Sequence, residues 1–349
     1  MNALPNGINA EYLTEALRRS GALGAGRVRE VRVQASRNTR RSEIARLRID
    51  YDGDCDHAPR LLIFKTSLPG RPRPTWNASH EVEFYAKVAA ALPTDLLPRC
   101  FDAVSHSGGT SWHLLLENLA GTHHTATMWP LPPSVNESAR IVEARARFHA
   151  MWWDHARLGV SVGRWPSPED INGVLKQFGG RFARFVDRTG DLLTPERRTL
   201  YERLIDALQR LSARRHSHRN MTVIQGDGHF WNCFLSKNGD GVKFTDWDCW
   251  RIDAGTDDLA YMIAMHWYPD RRRSFERKLL DRYHETLVAH GVSGYDRRTL
   301  DDDYRLSVLR QIMTPVWQAS VDLPPGVWWN NYERIMMAVD DLGCRELLP

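Results

Sequence analysis

The chain has 349 residues, 42% of them hydrophobic and 26% charged, a globular composition that excludes disorder as the dominant state. No apolar run approaches the ~18–20 residues of a membrane-spanning helix, and no basic stretch followed by an apolar core opens the chain, so neither a membrane partner nor a secretory signal is expected. A formal charge of +4 gives no nucleic-acid footprint, and five scattered cysteines without CxxC spacing predict neither a disulfide framework nor a thiolate zinc site, which fits a cytoplasmic location.

In chain order, residues 9–21 predict a short helix closed by Gly21. Three segments, 28–33 (VREVRV), 44–49 (IARLRI) and 60–65 (RLLIFK), read as strands, the first two by strict alternation. The polar stretches 36–42 and 52–59 between them read as turns, so the three strands form an antiparallel meander. A Pro-rich break at 69–74 precedes a helix over 79–92, stopped by Pro93. Residues 113–117 (HLLLE) predict a buried strand. After about residue 135 the periodicity becomes helical, over 136–156, 169–188 and 195–214. A β-rich island at 222–246 interrupts it, and helices return at 257–267, 270–290, 300–314 and 330–342. The change of character predicts two domains, 1–120 and 121–349, divided in the loop after ENLAG, 117–121.

The chemistry concentrates in 223–248. Two short strands, 233–235 and 242–245, flank a turn rich in Asn-Gly and Asp-Gly, a strong hairpin signal. A hairpin brings its open ends together, so Asn232 and Asp246 should converge, with Asp227 five residues before Asn232. Two carboxylates and an amide suit a hard cation such as Mg²⁺, which takes oxygen ligands and shares them with phosphates. The competing reading is that Asp and Asn merely cap the turn. A D-x-x-x-x-N element followed, after a hairpin, by an Asp is the catalytic spacing of kinase-like phosphotransferases.

QGDGHFWN, 225–232, and TDWD, 245–248, resemble the H-G-D-x-H-x-x-N and I-D-W-x motifs of the aminoglycoside phosphotransferase and choline kinase superfamily. GTDDLAYMI, 255–263, and EVEFY, 81–85, look like its ecdysteroid-kinase-like branch. The resemblance implies an α+β, two-lobed protein-kinase-like fold: a small antiparallel-sheet N-lobe with one main helix, and a larger, mainly helical C-lobe. It also implies ATP and Mg²⁺ as cofactors and a small-molecule hydroxyl acceptor as partner, with Asp227 as catalytic base and Asn232 and Asp246 as metal ligands. Lys65, one of six lysines in the chain, would hold the α- and β-phosphates. Glu81 would orient it, and Glu83 is the competitor. Glu117, Asn118 and Leu119 correspond to the adenine-binding hinge. The phosphate-covering loop, 35–42, has no glycine, so Ser36 and its serine, threonine and arginine neighbours take that role. Ten arginines against two glutamates lie between Arg18 and Arg48, suited to phosphates or, for most of them, a solvated face. Gln225 departs from the family's histidine.

Asp248 reads as a further candidate ligand, or as pointing elsewhere. Asp258 reads as a cap and loop brace. His229, with His216 and His218 nearby, raises a hydrolase metal site, which lacks converging ligands. His149, Trp152 and Trp153 read as core. Thirteen tryptophans suggest an aromatic-lined acceptor site for an apolar, steroid-like or ring-bearing alcohol or an amino-alcohol, against the reading that they are packing core. Two alternatives share the fold: an antibiotic-resistance phosphotransferase, needing carboxylates such as those at 301–303, 322 and 340–341, and a nucleotide-binding pseudokinase. A monomer or homodimer is expected.

Overall fold

A computed structural model describes residues 8–68, 79–92, 94–106, 111–211 and 217–349. The Pro-rich break at 69–74, Pro93, the end of the 195–214 helix and His216 lie outside the described residues. The chain forms two compact units, Met1–Thr125 with Cys233–Cys249, and Ala126–Asn232 with Trp250–Pro349. The hairpin carrying Asp246 thus groups with the first unit, and the loop carrying Asp227 with the second.

In the first unit, helix α1 (Ala10–Arg19) starts at Asn9, whose side chain accepts the Tyr12 N–H at 2.8 Å. Gly21, at φ +66, closes it in the left-handed region that glycine tolerates. Strands β1 (Arg27–Asn38), β2 (Ser42–Asp52), β3 (Leu61–Ser67), β4 (Cys100–Ser105) and β5 (Trp112–Glu117) form an antiparallel sheet in the order β1-β2-β3-β5-β4. Leu13 and Leu17 of α1 pack on Leu47, Ile49, Leu62, Phe64 and Leu115 of the sheet.

The turn expected over 36–42 is shorter than the sequence implied. Ser36, Arg37 and Asn38 remain paired with Ala45, Ile44 and Glu43, because ladder hydrogen bonds use backbone groups whatever the side chains are. Strand β4 was not anticipated; Phe101 is its one buried residue, too little to show as a period. Helix α2 (His80–Glu83) continues as a π-helical turn, Phe84–Ala89. Strands β6 (His123–Thr125), β8 (Cys233–Ser236) and β9 (Val242–Phe244) form a separate three-stranded sheet, with Cys233 opposite Phe244 in the hairpin.

The second unit is mainly helical. Helices α3 (Val135–Trp152) and α4 (Pro168–Thr189) each begin with a reciprocal capping box, from Ser134 with Glu137 and from Ser167 with Asp170. Helix α5 (Pro195–Leu211) follows. Strands β7 (Thr222–Ile224) and β10 (Arg251–Asp253) pair antiparallel. Helix α6 (Thr256–Leu259) runs on as a π-helical turn, Ala260–Met265. Then come α7 (Pro269–Ala289), α8 (Arg297–Gln311), α9 (Met313–Ser320) and α10 (Pro325–Asp341). The helix expected over 300–314 is therefore two, and the last one starts earlier than expected, with Pro325 in its first turn, where its missing N–H costs nothing. Among the described residues no helix is long and apolar enough to cross a membrane.

Candidate active site

The first unit holds a charged centre on β3. Lys65, opposite Ile44 and Leu114 in the middle of the sheet, has its Nζ 2.6 Å from Glu81 Oε2 and 2.6 Å from Asp246 Oδ1. Glu81 is the partner that the sequence left open; Glu83 instead meets Lys87 one helical turn on, at 2.8 Å. Burial works against the Lys65 ammonium, and the carboxylates of Glu81 and Asp246 more than offset it, so its pKa lies above the ordinary lysine value. Burial also raises the Glu81 carboxyl, against the pull of Lys65.

The Asp246 carboxylate is 42% exposed and its backbone is left-handed, φ +67, a conformation Asp tolerates better than most residues. Next to it, Trp247 stacks on Phe84 with centroids 4.0 Å apart, and its backbone N–H donates to Glu81 Oε1 at 3.3 Å. The same motif is thus pinned to α2 by a ring stack and a hydrogen bond. Asp248 takes an ion pair from Arg41 in the β1–β2 turn, at 2.7 Å.

The three residues expected to form the hinge follow one another at the end of β5. Glu117 accepts the Arg99 N–H at 3.0 Å and faces Lys243 at 3.2 Å. Asn118 caps a short 3₁₀ turn, and Leu119 is buried. Ser36 lies in strand β1 and donates to Glu43 at 2.7 Å. Four of the ten arginines of the basic run make surface pairs: Arg27 and Arg29 with Asp52, Arg32 with Glu30 and Asp50, Arg48 with Asp50.

The second unit holds the loop after β7. Asp258 of α6, fully buried, accepts the backbone N–H of Gln225 at 2.9 Å and of Gly226 at 2.8 Å. Arg145 of α3, also buried, donates to Asp258 at 2.6 Å, to Gln225 Oε1 at 3.0 Å and to the Gly228 carbonyl at 3.1 Å. Gln225 therefore keeps a hydrogen bond in the loop. Burial alone would raise the Asp258 carboxyl, but Arg145 and His149 hold it well below the usual carboxylate range. Gly228 is required here: a Cβ would lie 2.9 Å from Arg145 and 3.0 Å from Asp258. His149, expected as core, is buried and shares a hydrogen bond of 2.7 Å with Tyr283.

Above this brace, Asp227 has a side chain 32% exposed. Its Oδ1 accepts the Tyr261 hydroxyl at 2.6 Å, and its backbone carbonyl accepts from Asn232 Nδ2 at 3.1 Å. Asn232 closes the 3₁₀ turn Phe230–Asn232. His229 lies 3.8 Å from Asp227 Oδ2. The rings of His229, Trp231, Tyr261 and His266 pack together, with centroids 4.9 to 6.3 Å apart. His218 stacks on Trp165 instead, and among the described residues no group of three His, Cys, Asp or Glu side chains could hold a metal. Six other tryptophans are core: Trp112, Trp152, Trp247, Trp250, Trp267 and Trp328 are buried. Arg145 and Tyr261 were missed as site residues. The signal for Tyr261 was its spacing, three residues after Asp258 and on the same helical face.

The profile of the ecdysteroid kinase-like family matches residues 41–292, well over half of the chain, a span that includes Lys65, Glu81, Asp227, Asn232, Asp246 and Asp258. The chain belongs to the ecdysteroid kinase-like family. It is accordingly a small-molecule kinase with a hydroxyl group as acceptor. No curated protein matches it by sequence. Solved structures share its fold at low identity. The choline kinase LicA from Streptococcus pneumoniae is similar with a TM-score of 0.52 at 13% identity, covering 95% of this chain and 98% of the other. A Plasmodium vivax ethanolamine kinase gives 0.54 at 10%, covering 97% of each chain. The amicoumacin kinase hAmiN, solved with AMP-PNP, Ca²⁺ and Ami, gives 0.54 at 13%, covering 94% and 92%. The ecdysteroid kinase-like chain thus has the protein-kinase-like fold, as the motifs implied.

Proposed function

We propose that the chain transfers the γ-phosphoryl group of ATP, with Mg²⁺, to a hydroxyl group of a small molecule. The observation that carries this reading is the Lys65 ammonium held between Glu81 and Asp246 at 2.6 Å each. Phosphoryl transfer requires an oriented cation for the nucleotide phosphates more than covalent chemistry. Lys65 would contact the α- and β-phosphates, braced by Glu81. The backbone at Glu117, Asn118 and Leu119 would take the adenine edge, with Ser36 nearer the phosphates.

The donor set fits a shared, hard cation. The side-chain oxygens of Asn232 and of the half-exposed Asp246 would be its protein ligands, and phosphate oxygens would complete the sphere. A cation held there would neutralise charge on the phosphates. Asp227 would accept the proton of the acceptor hydroxyl.

The acceptor reading favours a molecule that is not a polycation. Of the carboxylates at 301–303, 322 and 340–341, four are engaged within the unit: Asp301 with Arg297, Asp340 with Arg345, Asp341 with Arg272 and Arg273, and Asp303 with Tyr295. The aromatic group beside Asp227, Trp231 with His229 and Tyr261, suits an apolar or ring-bearing alcohol.

The test is ATP consumption and phosphorylated-product mass against steroids, choline-like amines, nucleosides and aminoglycosides, with Mg²⁺, for wild type and Asp227→Ala. A product made by wild type and absent with Asp227→Ala supports the reading and names the acceptor class. Failure of Mg·ATP to raise the melting temperature of the wild type would contradict it.

A further inference from the structure

We infer that Tyr261 is a positioning residue for the base. Its hydroxyl fixes the Asp227 carboxylate so that Oδ2, not Oδ1, takes the acceptor's proton. This rests on the kinase reading above. The Tyr261 hydroxyl donates to Asp227 Oδ1 at 2.6 Å, the length of a charge-assisted hydrogen bond, stronger than one between neutral groups. An aspartate one-third exposed has several rotamers within reach; this bond selects one.

Tyr261 is held in place by His266. The Tyr261 backbone carbonyl accepts from His266 Nδ1 at 2.7 Å, and the two rings meet edge to face at 4.9 Å. Tyr261 is 8% exposed, so its position follows the helix rather than solvent. It also lies in a π-helical turn, a local rewinding of the helix that is frequent at functional sites.

The helix makes two separate contacts with the loop. Asp258 holds the backbone N–H groups of Gln225 and Gly226. Tyr261, on the same face three residues later, holds the side chain that follows them. One brace sets the path of the loop and the other sets the aim of the base. With Oδ1 taken by Tyr261, Oδ2 is the other carboxylate oxygen, 3.8 Å from His229 Nε2, on a side chain that is 32% exposed. In the reaction the acceptor oxygen forms its bond to the γ-phosphorus, and the bond from that phosphorus to the bridging oxygen of ADP breaks. The acceptor's hydroxyl proton passes to Oδ2.

The experiment is steady-state ATP turnover by the full chain, with the best acceptor of the panel or, in its absence, with water. It compares wild type, Tyr261→Phe, Asp227→Ala and the double variant, with melting temperature and Mg·ATP affinity measured on each. Tyr261→Phe removes only the hydroxyl. The expected result is a fall in kcat of about 10- to 100-fold, with KM for ATP, Mg·ATP affinity and melting temperature unchanged. The double variant should turn over no more slowly than Asp227→Ala, because the hydroxyl acts only through that carboxylate. Wild-type kcat in Tyr261→Phe, or a further fall in the double variant, would overturn the assignment while leaving the kinase reading intact. ATP turnover indifferent to Asp227→Ala would instead overturn the kinase reading, and the role of Tyr261 with it.

Discussion

The two units treat their carboxylates in opposite ways. In the second, Asp258 is sealed from water and meets a guanidinium and two backbone N–H groups. Nothing remains for it to bind, and its effect is on the shape of the 225–228 loop. In the first, Asp246 keeps 42% of its side chain exposed while leaning on Lys65, and its backbone is left-handed. A buried charge with every partner in place holds structure. A half-exposed charge is the kind that the proposed transfer would use. Asp227 belongs with the second kind, one-third exposed and steadied by Tyr261.

The largest effect should come from breaking the sealed pair. Arg145→Met leaves Asp258 charged without its guanidinium, and the loss should be about 3–5 kcal/mol of folding stability. Denaturant midpoints at constant slope would measure it, and a midpoint equal to wild type would show that the loop is held by other means. At the open centre the effect should fall on activity. Lys65→Met is expected to lower turnover ~10²–10³-fold and to abolish stabilisation by Mg·ATP in thermal melts.

Acid should weaken the second unit before carboxylates titrate. Burial depresses the His266 pKa from 6.5 to about 3, helped by His229 and Arg334. The fold therefore favours the neutral ring. That contribution is complete above the unfolded pKa and is lost as pH falls from 6.5 toward 3. At pH 5 the loss should be about 2 kcal/mol, visible as a falling melting temperature that His266→Gln flattens. The smallest effect sharpens the choice at Lys65: Glu83→Ala should leave stability within about 0.5 kcal/mol and activity unchanged, whereas Glu81→Ala should reduce activity as Lys65→Met does.

What could be read from the sequence was what is local. The alternation in β1 and β2 and the position of Lys65 on β3 follow from side chains facing one side of a sheet. The spacing of Asp227, Asn232 and Asp246 follows from one loop and one hairpin, and pointed to the family that the profile identifies. Contacts across long stretches of chain left no such trace. Arg145 reaches Gln225 from α3, 80 positions earlier, and a buried arginine in a helix looks like any other of the chain's many. Helical geometry separates Glu81 from Glu83 but cannot say which one faces Lys65. The arginine excess before residue 48 read as a phosphate surface or a solvated face; ion pairs with Asp50, Asp52 and Glu30 engage several of these side chains. The tryptophans suggested a lined acceptor site, yet six of the thirteen fill the core, and among the described residues Trp231 is the one in the ring cluster around Asp227.

The central claim is that the Lys65 centre holds nucleotide and the Asp227 loop performs transfer. The most direct measurement is Mg·ATP affinity together with single-turnover product formation, on wild type, Lys65→Met and Asp227→Asn. The account predicts that Asp227→Asn binds Mg·ATP as wild type does and forms product ~10²–10³-fold more slowly, while Lys65→Met loses both. Asp227→Asn forming product at the wild-type rate, or Lys65→Met binding Mg·ATP unchanged, would contradict it.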